Sequence, residues 1–322
     1  MSKNHAIIVQ KPGEIEFQGT TIPTLRDEYL LVNTKAVALN PSDWKHVDYL
    51  AKPGTIIGCD YAGEVLEVGS AVKKPFKKGT RVCGFCHGGN SVNQSVGAFG
   101  EIITVKGDIQ IEIPSNLSYE EAATLGVGIT TVGQGLYQSL ELPLPNQPTA
   151  EKTYILIYGG STATGALAIQ FAKLSGLTVV TTCSPGNFEY VKSLGAAFDC
   201  ISKGSSPQIS IPAMSSSGGV YSTLLPIAVS TVRELNPKVL MKLTSAYTVF
   251  GEYFKVGSYD FPAKPEDLEF GKMFWELSRC LLEEGKVKVH RVALDKYGTG
   301  FQGVMKGMDA LRRGEVSGEK FV

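Results

Sequence analysis

Apolar and polar positions change rhythm along this chain, and each change marks a different kind of structure. Between Ala6 and Ile113 apolar residues come in short bursts: Ala6–Val9, Ile15–Phe17, Tyr29–Val32, Lys35–Ala38, Glu64–Val68, Arg81–Cys86, Ile102–Val105 and Ile109–Ile113. Turn residues such as Pro12-Gly13, Pro23 and Pro75–Gly79 separate them. Short β-branched runs cut by Gly and Pro predict a barrel of short strands. One break is Asn40-Pro-Ser-Asp-Trp-Lys-His46, where Pro41 fixes entry into a short helix and Ser42 or Asp43 can cap it. After Pro114 the spacing turns helical. Ser118 with Glu121 has capping-box spacing, and Gly126–Gly133 is a run of small residues leading into a second helix, Gln134–Leu140. In that run Gly128 and Gly133 allow a backbone or a ligand to approach closely.

Tyr154–Ile157 is a buried-strand pattern, followed by the turn Tyr158–Gly165 and a helix from Ala166 to Lys173. A strand that closes in glycines and opens a helix presents free N–H groups to an anion, as in a Rossmann dinucleotide site. The turn reads Gly159-Gly160-Ser-Thr-Ala-Thr-Gly165 rather than G-x-G-x-x-G, so Ser161, Thr162, Ala163 and Thr164 face the expected pyrophosphate. A plain structural turn is the competing reading. Leu177–Cys183 is the second parallel strand, ending in Ser184, Pro185, Gly186 and Asn187. An acid at that point would hold the ribose hydroxyls of NAD. Here uncharged Ser184 and Asn187 stand in its place, which favours NADPH, although both also suit a simple helix cap.

The chain is then too short for a full Rossmann sheet. Between Ala196 and the strand at Val220–Leu225 there is room for one strand and one short helix, started by Ser206-Pro207. A crossover alone takes about a dozen residues. Phe198–Ser202 is read as the fourth strand, with a deletion near 196–198 removing the third, edge strand and its crossover helix. Loss of the fourth strand instead would leave a hole beside the first. Beyond this, Ala246–Val256 reads as a late strand, Glu269–Glu283 as an amphipathic helix, Val287–Val292 as a strand, Phe301–Leu311 as a helix and Val316–Val322 as a final strand.

The expected fold class is thus α/β: a β barrel in front, of the GroES-like type that the family resemblance given below implies, and a Rossmann doubly wound parallel sheet. The substrate domain is expected over 1–125, completed by about 270–322, and the NADPH-binding domain over 126–269. A chain of 322 residues has a prior of about two domains. Its 31 Lys and Arg equal its 31 Asp and Glu, which implies no general affinity for polyanions. No apolar run reaches the roughly 18 residues of a membrane span, and Met1–Ala6 lacks the apolar core of a signal peptide, so a cytoplasmic protein is expected. Of the cysteines only Cys83 and Cys86 have metal-like spacing; with only His87 nearby they read as thiols in a strand, and no metal is expected. His46, His87 and His290 are isolated and form no catalytic arrangement.

Several landmarks together resemble the medium-chain dehydrogenase/reductase superfamily. They are Asn40–Asp43, Gly58-Cys-Asp-Tyr-Ala-Gly-Glu-Val65, Gly79–Val82, Ala122–Leu125, Ile155–Gly159 and Val316–Lys320, and the resemblance covers nearly the whole chain. Where the zinc enzymes carry G-H-E this chain has Gly58-Cys59-Asp60, and their four-cysteine lobe is missing, which points to the zinc-free branch. Within it the chain resembles the fungal trans-acting enoyl reductases of polyketide biosynthesis, the lovastatin enoyl reductase type. Asn40–His46, Pro53–Tyr61, Gly126–Thr131, Gly160–Thr164 and Thr182–Phe188 carry that likeness.

The resemblance implies NADPH as cofactor, a polyketide synthase acyl carrier domain with its tethered enoyl chain as partner and substrate, and a monomer. It implies that Ser42, Asp43, Trp44 and Lys45, with Val316 and Ser317, help hold the cofactor. It places Lys45 by the acyl carbonyl as the first catalytic candidate, with Thr131 as a hydroxyl near the substrate and Tyr49 as a weaker proton-donor candidate. Gly126, Val127, Gly128, Ile129, Thr130 and Thr131, with Gly251, Glu252 and Tyr253, would line the acyl channel. A surface lysine that only grips a cofactor phosphate, and cap or packing roles for Thr131 and Tyr253, are the competing assignments. At the level of activity the alternatives are a quinone or enone reductase acting on free small molecules, and a truncated relative that only binds.

Overall fold

The computed structural model describes residues 3–187, 189–191 and 205–322. It separates into two compact units, Met1–Val127 with Tyr247–Val322, and Gly128–Ala246. Expectation had carried the nucleotide-binding part on to Glu269; the stretch from Tyr247 clusters with the first unit instead.

In the first unit β1 (Lys3–Lys11) and β2 (Glu14–Thr21) form an antiparallel hairpin around Pro12-Gly13. β3 (Tyr29–Ala38) leads into α1 (Pro41–Lys45), and β4 (Asp60–Val68), β5 (Arg81–Phe85), β6 (Ile102–Lys106) and β7 (Ile111–Glu112) follow. These strands make a five-stranded sheet in the order β6-β3-β4-β5-β7. The expected barrel does not close among the described residues. β1 reaches the rest through single bridges, Ala6 with Gly100 and Ile8 with Ile56, rather than a ladder. Alternation explains the core: Leu30 and Val32 of β3 point inward with Tyr61 and Val65 of β4, against Ile103, Val105 and Phe99. Burying each such side chain is worth roughly 1.5–3 kcal/mol. The returning C-terminal segment completes this core. The helix Gly300–Arg312 adds Met308 and Leu311, and Lys320–Phe321 pairs in parallel with Val292–Ala293. Leu39 N–H donates to the Phe321 carbonyl at 3.0 Å, so the end of the chain backs the residues that enter α1.

Helix α2 (Tyr119–Ala123) opens with the predicted capping box: Glu121 N–H donates to Ser118 Oγ at 3.2 Å and Ser118 N–H to Glu121 Oε2 at 3.0 Å. α3 (Gly126–Val132) runs on into a wider-wound turn, Gly133–Ser139. In the second unit β8 (Tyr154–Tyr158) is followed by α4 (Ala163–Leu174) and β9 (Thr178–Thr182), which pairs with β8 in parallel. β10 (Gly219–Thr223) and β11 (Val239–Leu243) form a second parallel pair. Among the described residues no ladder joins the two pairs. The expected strand at Phe198–Ser202 and the expected deletion near 196–198 lie outside the described residues.

Three expected strands turn out otherwise, one of them Val316–Val322, which is extended only at Lys320–Phe321. Ala246–Phe250 is a tight 3-10 turn, and extended structure resumes only at Phe254–Val256. Val287–Val292 is irregular up to Val292–Ala293. No helix among the described residues is long and apolar enough to cross a membrane.

Candidate active site and cofactor cradle

The turn after β8 has the shape the sequence implies. Gly159 takes φ +87°, and its N–H donates to the Thr182 carbonyl at 3.1 Å, which binds the turn to the end of β9. Thr162 caps α4, its hydroxyl accepting from Gly165 N–H at 3.0 Å and donating to the Gly159 carbonyl at 2.9 Å. A Cβ on Gly165 would stand 2.3 Å from the Gly159 oxygen, closer than any real contact, so this tightness requires glycine. Ser161, Thr162, Ala163 and Thr164 are half-buried around the start of a 12-residue helix, where backbone donors and the helix dipole favour an anion. A pyrophosphate fits these donors.

At the end of β9 a 3-10 turn, Pro185–Asn187, follows Ser184. Asn187 is buried and donates through Nδ2 to Ser184 Oγ at 3.0 Å, so the two predicted residues brace each other. From Thr178 to Asn187 the chain carries no acid that would hold a ribose diol.

In the first unit α1 presents Trp44 and Lys45, both half-buried, with the Lys45 ammonium 5.8 Å from the Trp44 ring centroid. Tyr49 is exposed and lies edge-on to Trp44 at 6.3 Å. Asp43 behaves differently from its neighbours: it is 1% exposed, and its Oδ2 accepts the Asn40 N–H at 2.6 Å. That carboxylate caps α1 and is committed to the fold rather than offered to a cofactor. Burial pushes the Asp43 carboxyl up to about 7 against the pull of the Asn40 N–H, and neighbouring Asp60 adds to the rise while Lys320 opposes it. A carboxyl raised from its ordinary value binds more protons folded than unfolded, so its stabilising neutral form is lost as pH rises from about 4 through about 7. Wild type should therefore lose stability across that window, on the order of 1 kcal/mol per pH unit, relative to Asp43→Asn. Thermal melts of both proteins at several pH values check this; parallel curves would contradict it.

Of the second predicted group, Gly126 and Val127 begin α3, and Thr130 and Thr131 are buried, with 3% and 5% exposure. Glu252 is not an open substrate contact. It takes Arg26 Nη2 at 2.8 Å, Lys106 Nζ at 3.0 Å and the Tyr29 hydroxyl at 2.9 Å. Burial alone would raise its carboxyl, but Lys106 and Arg26 outweigh that and hold it below its ordinary value. Tyr253 is 44% exposed and its hydroxyl donates to Asp260. Gly251 lies on the same loop with φ +66°. Val316 and Ser317 precede the buried Lys320 on the C-terminal segment.

Where zinc relatives would carry ligands, Cys59 is buried and its thiol meets the Tyr247 hydroxyl at 3.6 Å. Burial pushes the Cys59 thiol well above its ordinary value. His87 is stacked on Tyr247 at 4.6 Å and on Phe250 at 5.1 Å, and burial drives it down to about 3, a neutral packed ring. Burial also lowers His46. Among the described residues no group of three or more His, Cys, Asp or Glu is arranged to hold a metal ion. Sequence reasoning missed the Lys320–Asp60 pair and the Glu252 clamp, because both join positions far apart along the chain.

The fold is that of the medium-chain dehydrogenase/reductase superfamily. Residues 26–115 match the alcohol dehydrogenase GroES-like domain. The trans-enoyl reductase TOXD of Cochliobolus carbonum is 50% identical over 300 residues, covering 85% of this chain and 99% of the relative. The trans-enoyl reductase ACTTS2 of Alternaria alternata is 44% identical over 350 residues, covering 100% of this chain and 99% of the relative. The chain belongs to the trans-enoyl reductase family. The Escherichia coli quinone oxidoreductase complexed with NADPH has the same fold, with TM-score 0.70, 17% identity and 99% coverage of both chains. The alignment with ACTTS2 is longer than the 322 residues here, so that relative carries residues this chain lacks.

Proposed function

We propose that this protein is an NADPH-dependent enoyl reductase acting on an α,β-unsaturated thioester held by a polyketide synthase acyl carrier domain. The cradle at Gly159–Gly165 carries this reading, in a chain whose relatives over nearly their whole length are named trans-enoyl reductases. When bound, the cofactor supplies a hydride to the β carbon of the enoyl chain.

The residues of this chain bind, orient and polarise. Gly159–Gly165 hold the pyrophosphate with backbone N–H groups and hydroxyls. The Lys45 ammonium donates to the thioester oxygen, where negative charge collects as the β carbon is reduced; the α carbon then takes up a proton. Thr131 adds a hydroxyl to the acyl pocket. The run Gly126–Thr131, with no side chain larger than Ile129, is the stretch assigned to the acyl chain.

The turn after β9 offers uncharged Ser184 and Asn187 where an acid would repel a 2′-phosphate, and this supports NADPH over NADH. Titration of both cofactors by fluorescence should give a Kd for NADPH at least about tenfold lower, or about 1.4 kcal/mol. Equal affinities would sink the NADPH assignment while leaving reduction itself intact.

A further inference from the structure

An ion pair in the interior of the first unit is left unused by this chemistry. Lys320 and Asp60 are 3% and 0% exposed, 260 positions apart in the chain, and the ammonium donates to Asp60 Oδ2. Lys320 Nζ also donates to Asn40 Oδ1 at 3.1 Å. The other carboxylate oxygen, Asp60 Oδ1, accepts the Val127 N–H at 2.6 Å, in the first turn of α3. That approach depends on Gly126, where a Cβ would stand 2.4 Å from Asp60 Oδ1 and 2.5 Å from the Gly84 oxygen.

Desolvating two charges costs several kcal/mol per ion, and apolar residues of similar volume often stabilise a protein as well or better. Net stability is therefore a poor account of this pair. What a carboxylate offers that a leucine cannot is direction. One oxygen is neutralised by Lys320, and the other aims at one backbone N–H, fixing the rotation and height of the helix that begins the Gly126–Thr131 run. The same ammonium reaches Asn40, whose N–H is bound by Asp43 at the entry to α1.

We propose that Asp60, neutralised by Lys320, is a positioning residue that holds the first turn of α3 in register for reduction. The inference rests on the enoyl reductase reading. It assigns no contact between Asp60 and substrate or cofactor.

Three variants of the full chain separate positioning from simple stability. Lys320→Met leaves a bare buried carboxylate. Lys320→Met with Asp60→Asn removes both charges but keeps an oxygen for the Val127 N–H. Lys320→Met with Asp60→Leu removes the charges and the acceptor. The measurements are melting temperature, kcat on a pantetheine-linked enoyl thioester at saturating NADPH, and hydrogen exchange at the Val127 amide. The single variant should melt lowest, and both double variants should recover most of that loss. The Asn double variant should keep kcat within about threefold of wild type and a protected Val127 amide. The Leu double variant should lose kcat at least about tenfold and exchange Val127 at least about tenfold faster despite its recovered melting temperature, a tenfold loss being about 1.4 kcal/mol. Equal kcat in the two double variants would overturn the proposal, as would equal Val127 exchange. If Lys320→Met fails to fold, the pair of double variants still decides. A wild-type protein inactive on the enoyl thioester would refute the reductase reading separately, and the exchange comparison would still test the positioning.

Discussion

Replacing Lys45 with methionine should lower kcat on an enoyl thioester by about 10²–10³-fold, with little change in melting temperature. The size follows from losing one preorganised donor to a developing oxyanion, about 2.7–4 kcal/mol of transition-state stabilisation. The fold should not suffer. Lys45 is half-buried at the last position of a five-residue helix, and other contacts hold that segment. Asp43 caps its start, and Arg312 grips Asp48 just beyond it through Nη2 at 2.8 Å and Nε at 3.0 Å. Methionine keeps most of the aliphatic stem. Steady-state kinetics distinguishes the competing roles. An unchanged kcat at saturation with a raised KM for NADPH would mean that Lys45 only grips the cofactor. No change in either parameter would make it a surface lysine.

The second large effect belongs to the cofactor turn. Gly165→Ala should weaken NADPH binding at least about tenfold, or about 1.4 kcal/mol, and drag kcat/KM down with it. Its new methyl would stand 2.3 Å from the Gly159 oxygen and 2.9 Å from the Gly160 Cα, both backbone atoms that cannot swing aside. The turn must open, and the Gly165 N–H then moves away from Thr162 Oγ1 and the helix start loses its cap. Gly19→Ala is the control: among the described residues the only atom within 4 Å of its added methyl is in the His5 ring at 3.9 Å, and its NADPH affinity should match wild type. Fluorescence titration of both variants reads the difference. An intact affinity in Gly165→Ala would mean that the pyrophosphate is bound elsewhere.

What could be read beforehand was mostly local. The strand, turn and helix from Tyr154 to Lys173 follow from an apolar run, a glycine pair and a threonine cap within a few positions of one another, and the structure has each of them. The box at Ser118 and Glu121 was legible for the same reason. The stretch Tyr247–Phe254 shows where such reading fails. Its aromatic residues suggest a strand, but Tyr247, Phe250 and Phe254 are gathered around His87, with ring centroids 4.6, 5.1 and 5.1 Å from it, and a tight turn serves that cluster better than an extended one. Glu252 reads as a polar residue beside a substrate channel; its three partners, Arg26, Tyr29 and Lys106, lie 146 or more positions away. The Asp60–Lys320 pair is likewise invisible to any window of sequence. Asp60 stands where zinc enzymes have an acid in G-H-E, which flags the position but cannot name its partner.

The most direct test of enoyl reduction is to incubate the purified chain with NADPH and a pantetheine-linked α,β-unsaturated thioester, and to follow the absorbance of the cofactor and the mass of the acyl product together. The expected result is oxidation of NADPH in step with a saturated thioester two hydrogens heavier than the substrate. Turnover of free quinones with none of the thioester, or no measurable binding of NADPH, would contradict it.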